Sequence, residues 1–293
     1  MIRYGIDIRK RKRGGYIVVP DRHAFKSIQA LYRHYGPFLL TSIGVVRIAD
    51  KLGSGGFGSV YRAFTYHNDE LAVKQAKPND DIKFEAEVQQ YMSELTDHVA
   101  PVYDLIDDGE WMWIVMPIYP ESLGDLEVPI YPRQVVRYMR QLAFVVNMMR
   151  MEGISHRDIK PENVMLDMND DIVLIDFGIA ITDCQDADDI AGTLTYMAPE
   201  LLYQYATGKP RSQCNADIWS MGAVMYYLLT GQPLIRHRKS VYALFEQATS
   251  VDVKRDPRLR YVPTKLVQVL DGMLQVAPQA RYSPAHIIGM LSY

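Results

Sequence analysis

Four side chains suited to handling a phosphoryl group fall within nineteen positions of one another: Asp158, Lys160, Asn163 and Asp176. They sit in the stretches Ile154-Ser-His-Arg-Asp-Ile-Lys-Pro-Glu-Asn163 and Ile172-Val-Leu-Ile-Asp-Phe-Gly178, which read as polar loops flanked by apolar strands. Amide and carboxylate oxygens are hard ligands suited to Mg2+, a cation that also holds nucleotide phosphates. Asp158 could accept the proton of an attacking hydroxyl and orient that nucleophile. Lys160 could neutralise the group in transit. Any one of these residues alone is an ordinary loop residue; the ordered set is not.

Upstream, Leu52-Gly-Ser-Gly-Gly-Phe-Gly-Ser-Val60 places Gly53, Gly55 and Gly58 in a G-x-G-x-x-G spacing. Glycines are needed where backbone approaches phosphates, but they also simply make hairpin turns. A dinucleotide-binding fold would require a helix next and an acidic residue about 20 positions on. A β-rich run with Val60 and Tyr61 follows instead, which points to a strand–loop–strand flap over a nucleotide. In Leu71-Ala-Val-Lys74, a lysine stands in an apolar strand, where it is costly unless paired or bound. Thirteen residues later Glu87 falls on a predicted helix, with Glu85 on a different face. The expected ion pair is Lys74–Glu87; the competing reading is a snorkelling lysine and a solvated glutamate.

Positioning these groups takes two kinds of element. Strand-like runs cover Val45 to Leu52, Ser59 to Phe64 and Glu70 to Gln75, then a helix covers Ile82 to Leu95, then strands cover Val102 to Ile106 and Trp111 to Met116. After Pro117 and Pro120 the pattern turns helical, at Pro132 to Met151, Asn215 to Thr230 and Pro263 to Gln275. Strands first and helices later imply an α+β chain with two segregated lobes and a hinge at 117–120. The N-terminal segment reads as a hairpin, Tyr4 to Ile8 with Tyr16 to Val19, followed by a helix capped by Asp21 and ended by Gly36-Pro37.

The chain has 293 residues, 48% of them hydrophobic and 23% charged, enough for a sizeable core and unlike a disordered or fibrous protein. No apolar run approaches the roughly 18 residues that span a bilayer, and the basic start lacks the apolar region of a secretory signal. Two cysteines make neither a disulfide framework nor a four-ligand zinc site, so a reducing, cytoplasmic compartment is expected. Charge is uneven: residues 1–43 hold nine Lys/Arg against two Asp/Glu, the remainder 23 against 33.

Taken together, the glycine loop, the strand lysine, the H-R-D-x-K-x-x-N loop and D-F-G resemble, in order, the eukaryotic-type protein kinase family. Gly192-Thr193, Ala198-Pro-Glu200, Asp217-Ile-Trp-Ser-Met-Gly222 and Arg281 extend the resemblance over about residues 44–293. It implies a bilobal fold, with a β-rich N-lobe over 44–116 and a helical C-lobe over 121–293, and ATP-dependent transfer to protein substrates. It also implies ATP with Mg2+ as cofactors, Mn2+ being the alternative cation. Gly53, Gly55 and Gly58 would cover the phosphates, Leu52 would also belong to the ATP site, and Val60, Ala72 and Met165 would enclose the adenine. Met116 would be the gatekeeper, and residues 117–119 would offer backbone hydrogen bonds. Lys74, with Glu87, would hold the α/β-phosphates; Asp158 would be the base, Lys160 its assistant, and Asn163 and Asp176 the metal ligands. Glu200 would pair with Arg281, and Asp217 would tie the catalytic-loop backbone to the helix after it. Lys160-Pro161-Glu162 and Thr193 match the serine/threonine pattern rather than the tyrosine one.

Pro117 departs from that pattern where many relatives have a glutamate, so adenine contact there would rest on backbone. A scaffold without catalysis would lack the lysine, base or a metal ligand, and none is missing. A small-molecule kinase would lack Ala198-Pro199-Glu200. Residues 1–43 have no counterpart in the family core; their charge suits nucleic acid or another acidic partner, or packing against the acidic remainder. Finally, Arg157 precedes the base, and Asp188 or Asp189 is expected to pair with it in place of a phosphate, leaving the enzyme active as synthesised.

Overall fold

A computed structural model describes residues 38–56, 58–182, 191–209 and 211–292, with the backbone alone of 6–10, 16–20 and 80. Strands β1 (Ile6–Lys10) and β2 (Tyr16–Pro20) pair antiparallel as the expected hairpin. The helix expected after Asp21 lies outside the described residues. The remaining chain forms two compact units, one holding residues up to Gln90 with Ala100–Ile118, the other Tyr91–Val99 with Tyr119–Tyr293.

The first unit is built on a six-stranded antiparallel sheet. Its strands are β3 (Phe38–Thr41), β4 (Gly44–Gly55), β5 (Gly58–Phe64), β6 (Glu70–Ala76), β7 (Asp104–Asp107) and β8 (Met112–Pro117), in the order β3-β4-β5-β6-β8-β7. β6 is flanked by β5 and β8, so its alternate side chains enter two different packing layers. Leu71 and Val73 join Leu39, Val46, Ile48, Ala63 and Val115. Ala72 and Ala76 join Ile114 and Met116 against Ile82 and Ala86 of helix α1 (Asp80–Leu95). Lys74 shares the phase of Ala72, so it emerges on the helix-covered face. β3 extends the sheet to Phe38, ahead of the expected start at 44, and its Leu39 is buried.

The second unit is mainly helical. Helix α2 (Pro132–Met151) starts on a proline, whose fixed φ suits a first turn. It buries Val135, Tyr138, Met139, Leu142, Val145, Val146 and Met149 along one stripe. A small sheet of β9 (Glu121–Ser122), β10 (Val164–Leu166) and β11 (Ile172–Leu174), ordered β11-β10-β9, carries the polar loops of interest. Helices α3 (Pro199–Thr207), α4 (Ala216–Thr230), α5 (Val241–Thr249), α6 (Thr264–Met273) and α7 (Pro284–Leu291) complete it. α4 is buried on nearly every side and forms the unit's central helix. Among the described residues no helix is long and apolar enough to cross a membrane.

Candidate active site

In the first unit Lys74 Nζ lies 2.6 Å from Glu85 Oε1, and both side chains are buried, at 8% and 3% exposure. This corrects the expected Lys74–Glu87 pair. The buried face of α1 carries Ile82, Glu85, Ala86, Gln89 and Met92 at helical spacing, while Glu87 is exposed. Val60 lies opposite Lys74 across β5–β6, and Ala72 opposite Met116 across β6–β8. These residues line the same layer of the unit. Met165, expected to join them, belongs to β10 of the second unit.

The glycine loop is the turn between β4 and β5, closed by the pairs Gly53–Val60 and Gly55–Gly58. Gly58 has φ +140°, and a Cβ there would lie 2.2 Å from the Gln75 carbonyl oxygen, so the sheet itself demands glycine. A Cβ at Gly53 or Gly55 would meet nothing within 4 Å. Their lack of side chains is therefore not a demand of the packing. Leu52, at the same loop, is 45% exposed.

In the second unit Asp158 is held by four donors. Its Oδ1 accepts from Thr193 N at 2.9 Å and Thr193 Oγ1 at 2.7 Å. Its Oδ2 accepts from Lys160 Nζ at 2.6 Å and Asn163 Nδ2 at 3.0 Å. Lys160 Nζ also reaches Thr193 Oγ1 at 3.1 Å. Asn163 Nδ2 donates to the Asp158 carbonyl as well, so both amide hydrogens point one way and Oδ1 points the other, with no donor among the described residues. Ile175 N donates to the Asn163 carbonyl, which sets Asp176 beside Asn163 at the end of β11. Asp176 has φ +66°, a left-handed conformation rare outside glycine.

The loop backbone is pinned from below by Asp217, buried in the first turn of α4. Its carboxylate accepts from Ser155 Oγ, His156 N and Arg157 N at 2.8–2.9 Å. Those bonds over-determine Arg157, whose φ is +68°. His156 is wholly buried; its ring bonds the Ile175 carbonyl at 3.1 Å and meets Phe177 edge-on. His156 thus links the base's loop to the Asp176 loop, a part that the sequence reading did not assign. Arg157 Nε donates to the Ile179 carbonyl at 2.6 Å. Asp188 and Asp189, its expected partners, lie outside the described residues. Gly192, at φ +121°, packs so closely on the Arg157 carbonyl that a Cβ would come within 2.6 Å. Farther out, Arg281 and Glu200 form a buried bidentate pair at 2.7 and 2.6 Å.

One carboxylate oxygen of Asp158 thus carries a lysine and an asparagine, and the other carries the backbone and hydroxyl of Thr193. The protein kinase domain family matches residues 46–290, and the chain belongs to that family. It is 27% identical to an Aurora kinase of Schizosaccharomyces pombe over 82% of this chain and 69% of that protein. It is 29% identical to serine/threonine-protein kinase 32C of Mus musculus over 81% of this chain and 51% of that protein. A probable serine/threonine-protein kinase of Clostridium acetobutylicum is 28% identical over 83% of this chain and 38% of its own length. The match thus covers from 38% to 69% of these relatives' lengths.

Proposed function

We propose that this protein transfers the γ-phosphoryl group of ATP to serine or threonine hydroxyls of protein substrates. The observation that carries the reading is the Asp158 carboxylate, fixed by Thr193, Lys160 and Asn163. Asp158 accepts a hydroxyl's proton as the nucleophile attacks. Lys160 sits against the same carboxylate, ready to offset the charge of the phosphoryl group in transit. Lys74, oriented by Glu85, takes the α/β-phosphates, and the bare backbone of Gly53 and Gly55 admits them closely.

Mg2+ fits the donor set. Among the described residues no three His, Cys, Asp or Glu side chains converge to cage a metal. Asn163 and Asp176 would supply oxygen ligands to a cation such as Mg2+, which takes few protein ligands. When bound, such a cation neutralises phosphate charge; Asn163 Oδ1, left open by the two bonds of its amide nitrogen to Asp158, is the atom this chain offers it. The cations of residues 1–43 all precede Phe38, where the sheet begins, and are read as suited to nucleic acid or another acidic partner rather than to catalysis.

The test is transfer from labelled ATP with Mg2+ to a generic protein acceptor, followed by phosphoamino-acid analysis. Phosphoserine or phosphothreonine is expected, and its loss on adding a chelator. Phosphate found only on tyrosine would overturn the acceptor class, and no transfer by a folded preparation would overturn the activity.

A further inference from the structure

Helix α2 presents a second stripe away from its buried one. Arg133, Arg137, Arg140 and Phe144 recur at steps of four, three and four, so they share one face. A solvated helix face is ordinarily convex, but this one borders a concavity of about 790 Å3, closed by His98 and by Ile288 of α7. Phe144 is 42% exposed there. It is backed by the His98 ring, whose Nδ1–H donates to the Ile172 carbonyl at 2.9 Å. Arg137 is committed: it bonds Asp170 at 3.0 Å, Asp171 at 2.8 Å and the Asn169 carbonyl at 2.7 Å. Arg133 and Arg140 have no carboxylate partner among the described residues. Two exposed cations without a carboxylate partner among the described residues are followed, one turn on, by an exposed aromatic ring, in a protein whose net charge is −3.

We propose that this concavity docks an acidic peptide segment, seating an apolar residue on Phe144 and Ile288 and giving carboxylates to Arg133 and Arg140. Seven helical positions separate the two arginines, about 10 Å at about 1.5 Å per residue. Side chains of an extended segment share a face only at even spacings, and four steps at about 3.3 Å reach about 13 Å, a difference the long arginine side chains take up. Phe144 lies one turn past Arg140, so the fitting pattern is acid, three spacer residues, acid, one spacer, apolar residue. Planar guanidinium groups suit bidentate capture of carboxylates. A nucleic-acid backbone fits less well, because Arg137, between the two arginines, is committed to Asp170 and Asp171, which breaks the run of cations that successive phosphates need. Asp170 is also in the turn between β10 and β11, the hairpin that carries Asn163 and Asp176 at its other end. A segment held there is anchored on the same unit as the catalytic loop. Docking is a binding event and does not depend on the phosphoryl-transfer reading.

The experiment uses the full chain and fluorescein-labelled peptides with a Glu-Ser-Gly-Ser-Glu-Ser-Leu core between Gly/Ser flanks, read by fluorescence anisotropy. Saturable binding is expected at low salt, weakening at about 0.5 M salt. The Arg133→Gln/Arg140→Gln pair should weaken it about tenfold or more, as should Arg133→Glu/Arg140→Glu, and Phe144→Ala severalfold. Circular dichroism and the thermal melt should be unchanged in the arginine variants, which certifies that they are folded without reference to any activity. Equal binding of a Lys-Ser-Gly-Ser-Lys-Ser-Leu control, or undiminished binding by folded arginine variants, would overturn the proposal. So would a uridine oligonucleotide that binds more tightly than the peptide and is lost with the same variants.

Discussion

Asp158 accepts from two donors on each carboxylate oxygen. An amide in its place would turn one end into a donor facing Lys160 and Asn163, both of which already donate, and would have no basic oxygen to take a proton. Asp158→Asn should therefore lower kcat by about a hundredfold or more, with circular dichroism unchanged; near-normal turnover would reject Asp158 as the base. The two glutamates of α1 give a sharper comparison. Glu85 is buried against Lys74, whereas Glu87 is exposed. Removing one partner of a buried ion pair leaves an uncompensated charge, at about 3–5 kcal/mol. Glu85→Gln should lower both the melting temperature and kcat/KM for ATP, while Glu87→Gln should leave both near wild type. The reverse ranking would mean that the Lys74–Glu85 contact does not orient the lysine.

At the scale of elements, what could be read in the sequence was what local chemistry determines. Helix α2 was expected at Pro132 to Met151 and lies there, because a proline marks its first turn and one apolar stripe runs its length. The catalytic stretches were legible because their spacing is local to one hairpin and its flanks. The partner of Lys74 was not, because two polar residues, Glu85 and Gln89, interrupt the buried stripe of α1 and hide its phase. Helices α3, α5 and α7, of eight or nine residues each, are too short for periodicity to declare them. Strand β3 escaped because its hairpin to β4 turns through Ser42-Ile43, which has none of the Asn-Gly chemistry that announces a tight turn. That strand carries a prediction. A chain starting at Phe38 should keep the sheet's melting behaviour, whereas one starting at Gly44 loses β3 and the buried Leu39. The Leu39→Ala change alone should cost about 2–4 kcal/mol, visible in urea unfolding. If the two truncations melt together, β3 contributes nothing to the sheet and the boundary belongs at 44.

Across the whole chain, the base and the buried pair Glu200–Arg281 should fail in opposite ways. Arg281 reaches three separate stretches: it grips both Glu200 oxygens at the start of α3, donates to the Asn215 carbonyl before α4, and donates to the Gln275 carbonyl after α6. Its side chain is fully enclosed, and its guanidinium stands over the Trp219 ring at 5.4 Å. A lysine could not reproduce the fork, since one ammonium group cannot span both carboxylate oxygens in that plane. Arg281→Met strands the Glu200 charge and should destabilise by about 3–5 kcal/mol; Glu200→Leu added to it removes the stranded charge and should restore part of that loss. Activity per folded molecule should survive in both, because neither residue reaches Asp158. Asp158→Asn should show the opposite, a normal melt without turnover. Thermal melts paired with turnover measured well below each midpoint separate the two cases. If the double variant is no more stable than Arg281→Met alone, the pair's importance lies in the arginine's carbonyl contacts and not in its charge on Glu200.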